Sequence, residues 1–254
     1  MSDEVLVEVD GAVAVITINR PKAKNAVNGA VAEGIAKALD EFDERKDVSV
    51  IVITGAGGTF CAGMDLKGFL TGENPMSGGR GFGGIAEKPP TKPIIAAVEG
   101  YALAGGCEIA LSCDMIVASS EAKFGVPEVK RGLVAAAGGL FRLPQRIPFH
   151  IAMEIVLTGD HYGTARMAEL GLVNRVTEPG QALAVARELA LKIAENAPLA
   201  LAASKRVIVE SADWPAAESF ARQGEIVNPI FGSKDAAEGA TAFAEKRKPN
   251  WSGE

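Results

Sequence analysis

Asp47 leads into Val48-Ser49-Val50-Ile51-Val52-Ile53-Thr54, a run so rich in β-branched residues that it reads as a strand buried on both faces. Such a strand has no solvated side, so helices must cover the sheet that contains it. Val5–Asp10 and Val13–Ile18 read as two more strands joined at Gly11-Ala12, and residues 93–98 and 115–118 as a further two. Val31, Ile35, Ala38, Leu39 and Phe42 recur at helical spacing after Asn28, and residues 105–113 form a short helix. Strands alternating with helices predict an α/β domain with covered sheets. From Pro148 onward the pattern is mostly helical. Ala152, Met153, Ile155 and Val156 share one face, and Leu183, Ala186, Leu189, Ala190 and Ile193 form another. Pro198 and Pro215 mark helix starts, and a last helix over 234–246 is expected to carry Ala237, Ala240 and Phe243 as its apolar face.

One stretch breaks the pattern. Residues 71–91 hold Gly72, Gly78, Gly79, Gly81, Gly83 and Gly84 with Pro75, Pro89 and Pro90, and no periodicity survives there. That composition predicts a mobile surface loop and leaves open an active-site lid or a plain disordered insertion. Elsewhere, 48% hydrophobic and 23% charged residues exclude wholesale disorder. Lys+Arg 26 against Asp+Glu 32 gives a net charge of −6, the wrong sign for a nucleic-acid partner. The basic run Lys246-Arg247-Lys248 reads as a solvated helix end. Cys61, Cys107 and Cys113 are odd in number without CxxC spacing, which argues against a disulfide scaffold or zinc ribbon and fits a reducing compartment. His150 and His161 lack an HExxH context, so no metal is expected. The acidic start Met1-Ser2-Asp3-Glu4 does not read as a signal peptide, and the longest apolar stretch, 132–141, is half a membrane span at best. A soluble, cytoplasmic protein without membrane insertion is expected.

The residues also narrow the chemistry. Gly55-Ala56-Gly57-Gly58-Thr59-Phe60 follows a strand but ends in Phe60 with no helix at once behind it, so it fails as a dinucleotide fingerprint. Neither a GxxxxGK[ST] phosphate loop nor a GxSxG nucleophile elbow is present. Two glycine-bearing turns after buried strands remain, Phe60-Cys61-Ala62-Gly63-Met64-Asp65-Leu66 and Gly100-Tyr101-Ala102-Leu103-Ala104-Gly105-Gly106. Their free backbone N–H groups would suit an oxyanion hole, although each cluster taken alone is better explained as a tight turn. Two carboxylates also stand in apolar surroundings. Glu108 would serve as a helix-capping charge or a catalytic acid/base, and Glu128 as a solvated loop charge or its partner.

These residues, taken in order, resemble the enoyl-CoA hydratase/isomerase (crotonase) superfamily over essentially the whole chain. The features are Asn19-Arg20-Pro21 with Asn25-Ala26, the turns 60–66 and 100–108, and Phe124-Gly125-Val126-Pro127-Glu128. Gly138-Gly139 with Arg142-Leu143-Pro144, Leu157-Thr158-Gly159 and Gly171-Leu172-Val173-Asn174-Arg175-Val176 follow, then Asp235 with Glu238-Gly239 and Phe243-Ala244-Glu245-Lys246-Arg247. The resemblance implies an α/β spiral of ββα units over 1–197 and a helical C-terminal region over 198–254 that trimerises, as a homotrimer or dimer of trimers. It implies an oxyanion hole from the N–H groups of Met64 and Gly105 around an acyl-CoA thioester. It places Lys22, Lys24, Ala26, Ala62, Asp65 and Leu66 along the CoA, and Phe243 and Lys246 at a neighbouring subunit's CoA. CoA enters as part of the substrate, so no separate cofactor is expected.

Within the superfamily, hydratases keep glutamates at both positions matched by Glu108 and Glu128. The resemblance therefore implies hydration of a trans-2-enoyl-CoA in fatty acid metabolism, with Glu128 giving a proton to C2 and Glu108 partnering the water. An isomerase, a carnitinyl-CoA dehydratase-like enzyme or a non-catalytic acyl-CoA-binding protein are the alternatives. Two departures bear on acyl preference. Met64 stands where many hydratases have alanine, and Ala135-Ala136-Ala137 replaces the common Pro-Gly-Ala, which is closer to the carnitinyl-CoA dehydratase branch.

Overall fold

The computed structural model describes residues 3–77 and 79–254; Met1, Ser2 and Gly78 lie outside the described residues. Strands β1 (Val5–Asp10) and β2 (Val13–Ile18) form an antiparallel hairpin. Helix α1 (Gly29–Glu44) starts at Asn28, whose side-chain oxygen accepts the Val31 N–H at 3.0 Å, and it buries the expected stripe from Val31 to Phe42. Next come β3 (Val50–Gly55), α2 (Leu66–Leu70) and a small hairpin of β4 (Met76–Ser77) and β5 (Gly81–Phe82). Strands β6 (Ile94–Val98) and β7 (Tyr101–Leu103) lead into α3 (Gly105–Ser112). Strands β8 (Met115–Ser119) and β9 (Lys123–Gly125) lead into a 3₁₀ turn, Pro127–Arg131. Helices α4 (Gly139–Arg146) and α5 (Phe149–Thr158), strand β10 (Tyr162–Gly163), helix α6 (Thr164–Glu169) and strand β11 (Arg175–Thr177) complete the sheets. Four helices close the chain: α7 (Ala182–Ala194), α8 (Pro198–Glu210), α9 (Ser219–Phe231) and α10 (Lys234–Glu245).

The large sheet runs β1-β2-β3-β6-β8-β11 and is parallel beyond the first pair. Its two faces sort β3 residue by residue. Val50 and Val52 pack with Ile95, Ala97 and Val117 against Ala182, Ala186 and Ala190 of α7. Ile51 and Ile53 join Ile16, Ile94, Val98 and α1 on the other side. Each such fully buried Val or Ile contributes about 1.5–3 kcal/mol.

A second sheet, β10-β9-β7, receives one more bridge from Cys61 to Ala102. The chain thus leaves the large sheet for the small one three times, after β3, β6 and β8, in a spiral of ββα turns. Each pass ends within three residues of a predicted site residue: Met64 after Cys61, Gly105 after Leu103, Glu128 after Gly125.

One expectation is corrected. The glycine-rich stretch is neither a disordered insertion nor a purely superficial loop, for Arg80, Phe82, Ile85 and Ala86 are buried. Arg80 donates to the Asp40 and Asp43 carboxylates of α1 at 2.9 and 3.1 Å and to the Lys88 carbonyl at 2.7 Å. A buried guanidinium needs such partners, and these tie the segment down. On α10, Ala237, Ala240 and Phe243 are exposed in the protomer, Phe243 at 86%, while Asp235 and Ala242 face inward. The inner face is taken by the C-terminal tail: the Asp235 carboxylate accepts from the Ser252 N–H and hydroxyl and from the Gly253 N–H. Among the described residues no helix is long and apolar enough to cross a membrane.

Candidate active site

Met64 forms a parallel bridge with Val27. Its neighbours take both bonds of that bridge, Val27 N–H to the Gly63 carbonyl and Asp65 N–H to the Val27 carbonyl, each 2.8 Å. The Met64 N–H therefore points the other way, and it has no hydrogen-bond partner among the described residues. Ala104, at φ 51° and ψ −130°, turns β7 abruptly into α3. A non-glycine residue held there costs about 1–3 kcal/mol. Gly105, the first residue of α3, presents an N–H of the kind that a helix start leaves over, again without a partner among the described residues. The two amides lie on touching backbones: a Cβ added at Gly63 (φ 104°) would stand 2.7 Å from the Ala104 Cβ and 3.3 Å from the Gly105 nitrogen. Gly106 must lack a side chain because one would strike the Cys61 carbonyl, and at Gly105 one would strike the ring of Phe82. Phe82 thus belongs to the rim of this site; it lies in the stretch for which the sequence leaves an active-site lid open, but nothing in the string marks the residue itself.

Glu108 does not cap its own helix. Its Oε1 accepts the N–H groups of Ala137 (2.7 Å) and Gly139 (2.9 Å), from the turn that opens α4. Burial pushes its carboxyl above the ordinary carboxylate range, opposed by those two amides and by the Arg142 charge. Glu128 is half-buried, not a solvated loop charge. Among the described residues its Oε2 is the buried side-chain oxygen without a hydrogen-bond partner. Burial pushes this carboxyl up to about 7, its own amide opposes the change, and the Glu108 charge adds to it. An orphaned carboxyl oxygen is costly unless protonated or met by a ligand. Two desolvated acids, one of which feels the other's charge, suit acid/base work.

The remaining predicted residues divide into two places. The Lys24 carbonyl accepts the Ala62 N–H at 3.0 Å, and the Ala26 carbonyl accepts from Arg20 at 2.6 Å. Lys24 and Ala26 thereby adjoin the 62–66 turn, with the Lys24 ammonium 5.1 Å from the centre of the Tyr101 ring, and Lys22 lies just before them in the 3₁₀ turn Pro21–Ala23. Asp65 is spent inside the fold: it caps α2 through the Lys67 and Gly68 amides and pairs with Arg20 at 2.9 Å. Burial alone would raise its carboxyl, but Arg20 and the amides hold it below the usual range. Leu66 is exposed at 42%. Phe243 and Lys246 lie apart on α10, Lys246 as its exposed left-handed C-cap. An open cleft of about 670 Å³ near Lys46, Asn196 and Trp251 includes none of these residues. Among the described residues no three His, Cys, Asp or Glu side chains converge as a metal site would need.

Known proteins share this fold. The family model for enoyl-CoA hydratase/isomerase matches residues 8–254. Enoyl-CoA hydratase EchA19 of Mycobacterium tuberculosis is 42% identical over 98% of this chain and 96% of its own length. Carnitinyl-CoA dehydratase of Escherichia coli K12 is 40% identical over the full length of both chains. A solved enoyl-CoA hydratase of Mycobacterium tuberculosis H37Rv superposes with a TM-score of 0.98 at 58% identity, covering 100% of both chains. The chain belongs to the enoyl-CoA hydratase/isomerase family and has the crotonase fold.

Proposed function

We propose that this chain is an enoyl-CoA hydratase, a hydro-lyase that adds water across C2–C3 of a trans-2-enoyl-CoA to give a 3-hydroxyacyl-CoA. The observation that carries the reading is the pair of desolvated carboxyls, Glu108 and Glu128, beside two unused amides, Met64 and Gly105. The thioester oxygen accepts from both amides, which makes C3 electrophilic and holds the enolate charge; one such donor contributes about 3 kcal/mol. Glu108, ionised and fixed by Ala137 and Gly139, takes a proton from water as its oxygen bonds to C3. Glu128, protonated, gives its proton to C2 as the enolate collapses. Solvent exchange then returns the proton from Glu108 to Glu128.

CoA is part of the substrate, and the reaction uses no metal or nicotinamide. Lys22, Lys24, Ala26, Ala62 and Leu66 are read as the CoA side of the site, with Asp65 acting through its tie to Arg20. Loss of the ultraviolet absorbance of the conjugated enoyl thioester, followed across chain lengths, tests the reading. Unchanged absorbance with every substrate would overturn it. Dehydration of a decorated acyl-CoA of the carnitinyl type is the second reading, favoured by Ala135-Ala136-Ala137 and by the 40% identity to a carnitinyl-CoA dehydratase.

The charge states give the pH dependence. Hydration needs Glu128 protonated, and its carboxyl sits near 7 in the free protein. We expect kcat/KM, which reports free-enzyme groups, to fall about tenfold per unit as pH rises beyond 7. It also falls on the acid side as Glu108 protonates, both limbs belonging to the coupled pair. A profile flat from pH 6 to 9 would show that another group supplies the proton.

Assembly is read from the exposed faces of the C-terminal region. Ile208, Val209, Phe220, Phe231 and Phe243 are 59–88% exposed, more apolar surface than a lone protomer keeps in water. We read 198–254 as the trimerising region of a cytoplasmic enzyme of fatty acid metabolism, with 1–197 as its catalytic core, and Lys246 as reaching a neighbour's CoA. Lys246→Ala should leave the oligomer's sedimentation unchanged and weaken CoA binding about tenfold, the scale of one lost charge-assisted contact. Unaltered affinity would remove Lys246 from the site.

A further inference from the structure

Three separate segments meet at Arg142 of α4. Its Nη2 donates to the Ala86 carbonyl in the glycine-rich stretch (2.6 Å). Its Nη1 donates to the Ser112 hydroxyl at the end of α3 (3.1 Å) and to the Ala137 carbonyl (3.3 Å). Ala137 is also the residue whose N–H binds Glu108, so its two polar groups are held from opposite sides, one by the carboxylate and one by the guanidinium. Gly138, at φ 101°, leaves room for this: a Cβ there would strike the Arg142 guanidinium. The Arg142 N–H in turn donates to the Gly138 carbonyl at 2.9 Å. The Ser112 hydroxyl, which receives Arg142, itself donates to the Glu108 carbonyl at 2.8 Å.

We propose that Arg142 is a positioning residue for hydration: its planar fork clamps the Ala137-Gly138-Gly139 turn so that both amides meet Glu108 Oε1, and it ties that turn to the Ala86 stretch behind Phe82. This rests on the hydratase reading above. No ion pair joins Arg142 to Glu108 among the described residues, so the guanidinium acts through the peptide and through its field. Lysine keeps the charge but has no fork to span three acceptors. Glutamine loses both. Misplacing a catalytic group by about an ångström costs up to about 100-fold in rate.

The expected result for Arg142→Gln is a kcat lowered about 10- to 100-fold with KM for the enoyl-CoA nearly unchanged, because the Met64 and Gly105 amides are untouched. The acid limb of kcat/KM moves to higher pH, since Glu108 loses both a nearby cation and firm amide donors. The other charged or titratable groups around Glu108 stay in place: Glu128 with Arg131 behind it on the Pro127–Arg131 turn, and Cys107 on α3, whose thiol burial keeps near 12. Arg142→Lys should restore the acid limb but only part of kcat. Wild-type kcat and acid limb in a folded Arg142→Gln protein would overturn the proposal, as would full rescue of kcat by lysine. Titration of carboxyl-labelled glutamates by ¹³C NMR, with the Glu108 signal assigned from Glu108→Gln, reads the same shift without turnover. A wild type that leaves enoyl-CoA unchanged would sink the hydratase reading. The Glu108 midpoint in Arg142→Gln then still decides for the positioning role if raised and against it if unmoved.

Discussion

Glu128→Gln and Glu108→Gln are each expected to lower kcat by about 10²–10⁴-fold, the usual contribution of a general acid or base. Glutamine keeps the size and one carbonyl acceptor but cannot exchange the proton. CoA binding should stay nearly intact, because the Met64 and Gly105 amides hold the thioester. The double variant should be little slower than the poorer single one, since both glutamates act in one step. A thermal scan separates chemistry from unfolding. The folded carboxyl of Glu128 sits near 7, above its ordinary 4.5, so the native state holds its proton more tightly than the unfolded chain does. Stability from this group is therefore full at low pH and lost as pH rises from about 4.5 through 7. Glu128→Gln should accordingly gain melting temperature at pH 8 relative to the natural protein and gain almost nothing at pH 4. Near-natural kcat in Glu108→Gln alone would leave a one-acid, isomerase-like site. Near-natural kcat in both would end the catalytic reading.

Gly63→Ala is the second large effect, with kcat/KM falling about 10²–10³-fold, comparable to losing one oxyanion donor. At φ 104° an alanine is strained, and its Cβ would press on the Ala104 Cβ, the Leu103 carbonyl and the Gly105 nitrogen, wedging the two amides apart. Gly58→Ala is the matched control. Gly58 is also left-handed, at φ 75°, but a Cβ there meets nothing within 4 Å. It should lose about 1 kcal/mol or more of stability and keep its rate. Equal rates in the two variants, assayed on enoyl-CoA well below their melting temperatures, would remove these amides from the reaction.

Much of the active site was visible in sequence only as a short menu of residues. Glu108 stands out in the sequence, yet its neighbours in the chain favour a capping role as readily as a catalytic one. The partners that decide the matter, the Ala137 and Gly139 amides, lie 29 and 31 residues away and are backbone groups that leave no side-chain signature. Glu128 is likewise marked by its turn, but only the packed fold buries its Oε2 without a partner among the described residues. The stretch 71–91 misled because glycine and proline erase periodicity. Its order comes from Arg80 reaching Asp40 and Asp43, 40 and 37 positions back. On the last helix, apolar spacing marks a face to be covered without saying by what, and the Asp235-bound tail takes the opposite face.

What the amino-acid order determined by itself is local or periodic. Val50 to Ile53 admit only a doubly covered strand, because every side chain on both faces is apolar and branched. Asn28 starts α1, and the stripe from Val31 to Phe42 settles which side of it is buried. The glycine-bearing turns and the paired glutamates are already in the string, while the close backbone approach that demands Gly63 and Gly106 exists only in the fold. Tertiary structure decided everything that depends on distance through space. It stacked three passes of the spiral so that Met64, Gly105 and Glu128 end at one edge, and it left two ordinary amides without a partner among the described residues. It also desolvated two carboxyls until one of them holds its proton near neutrality. Proton affinity depends on water and on neighbouring charge, and neither is a property of a residue's place in the chain.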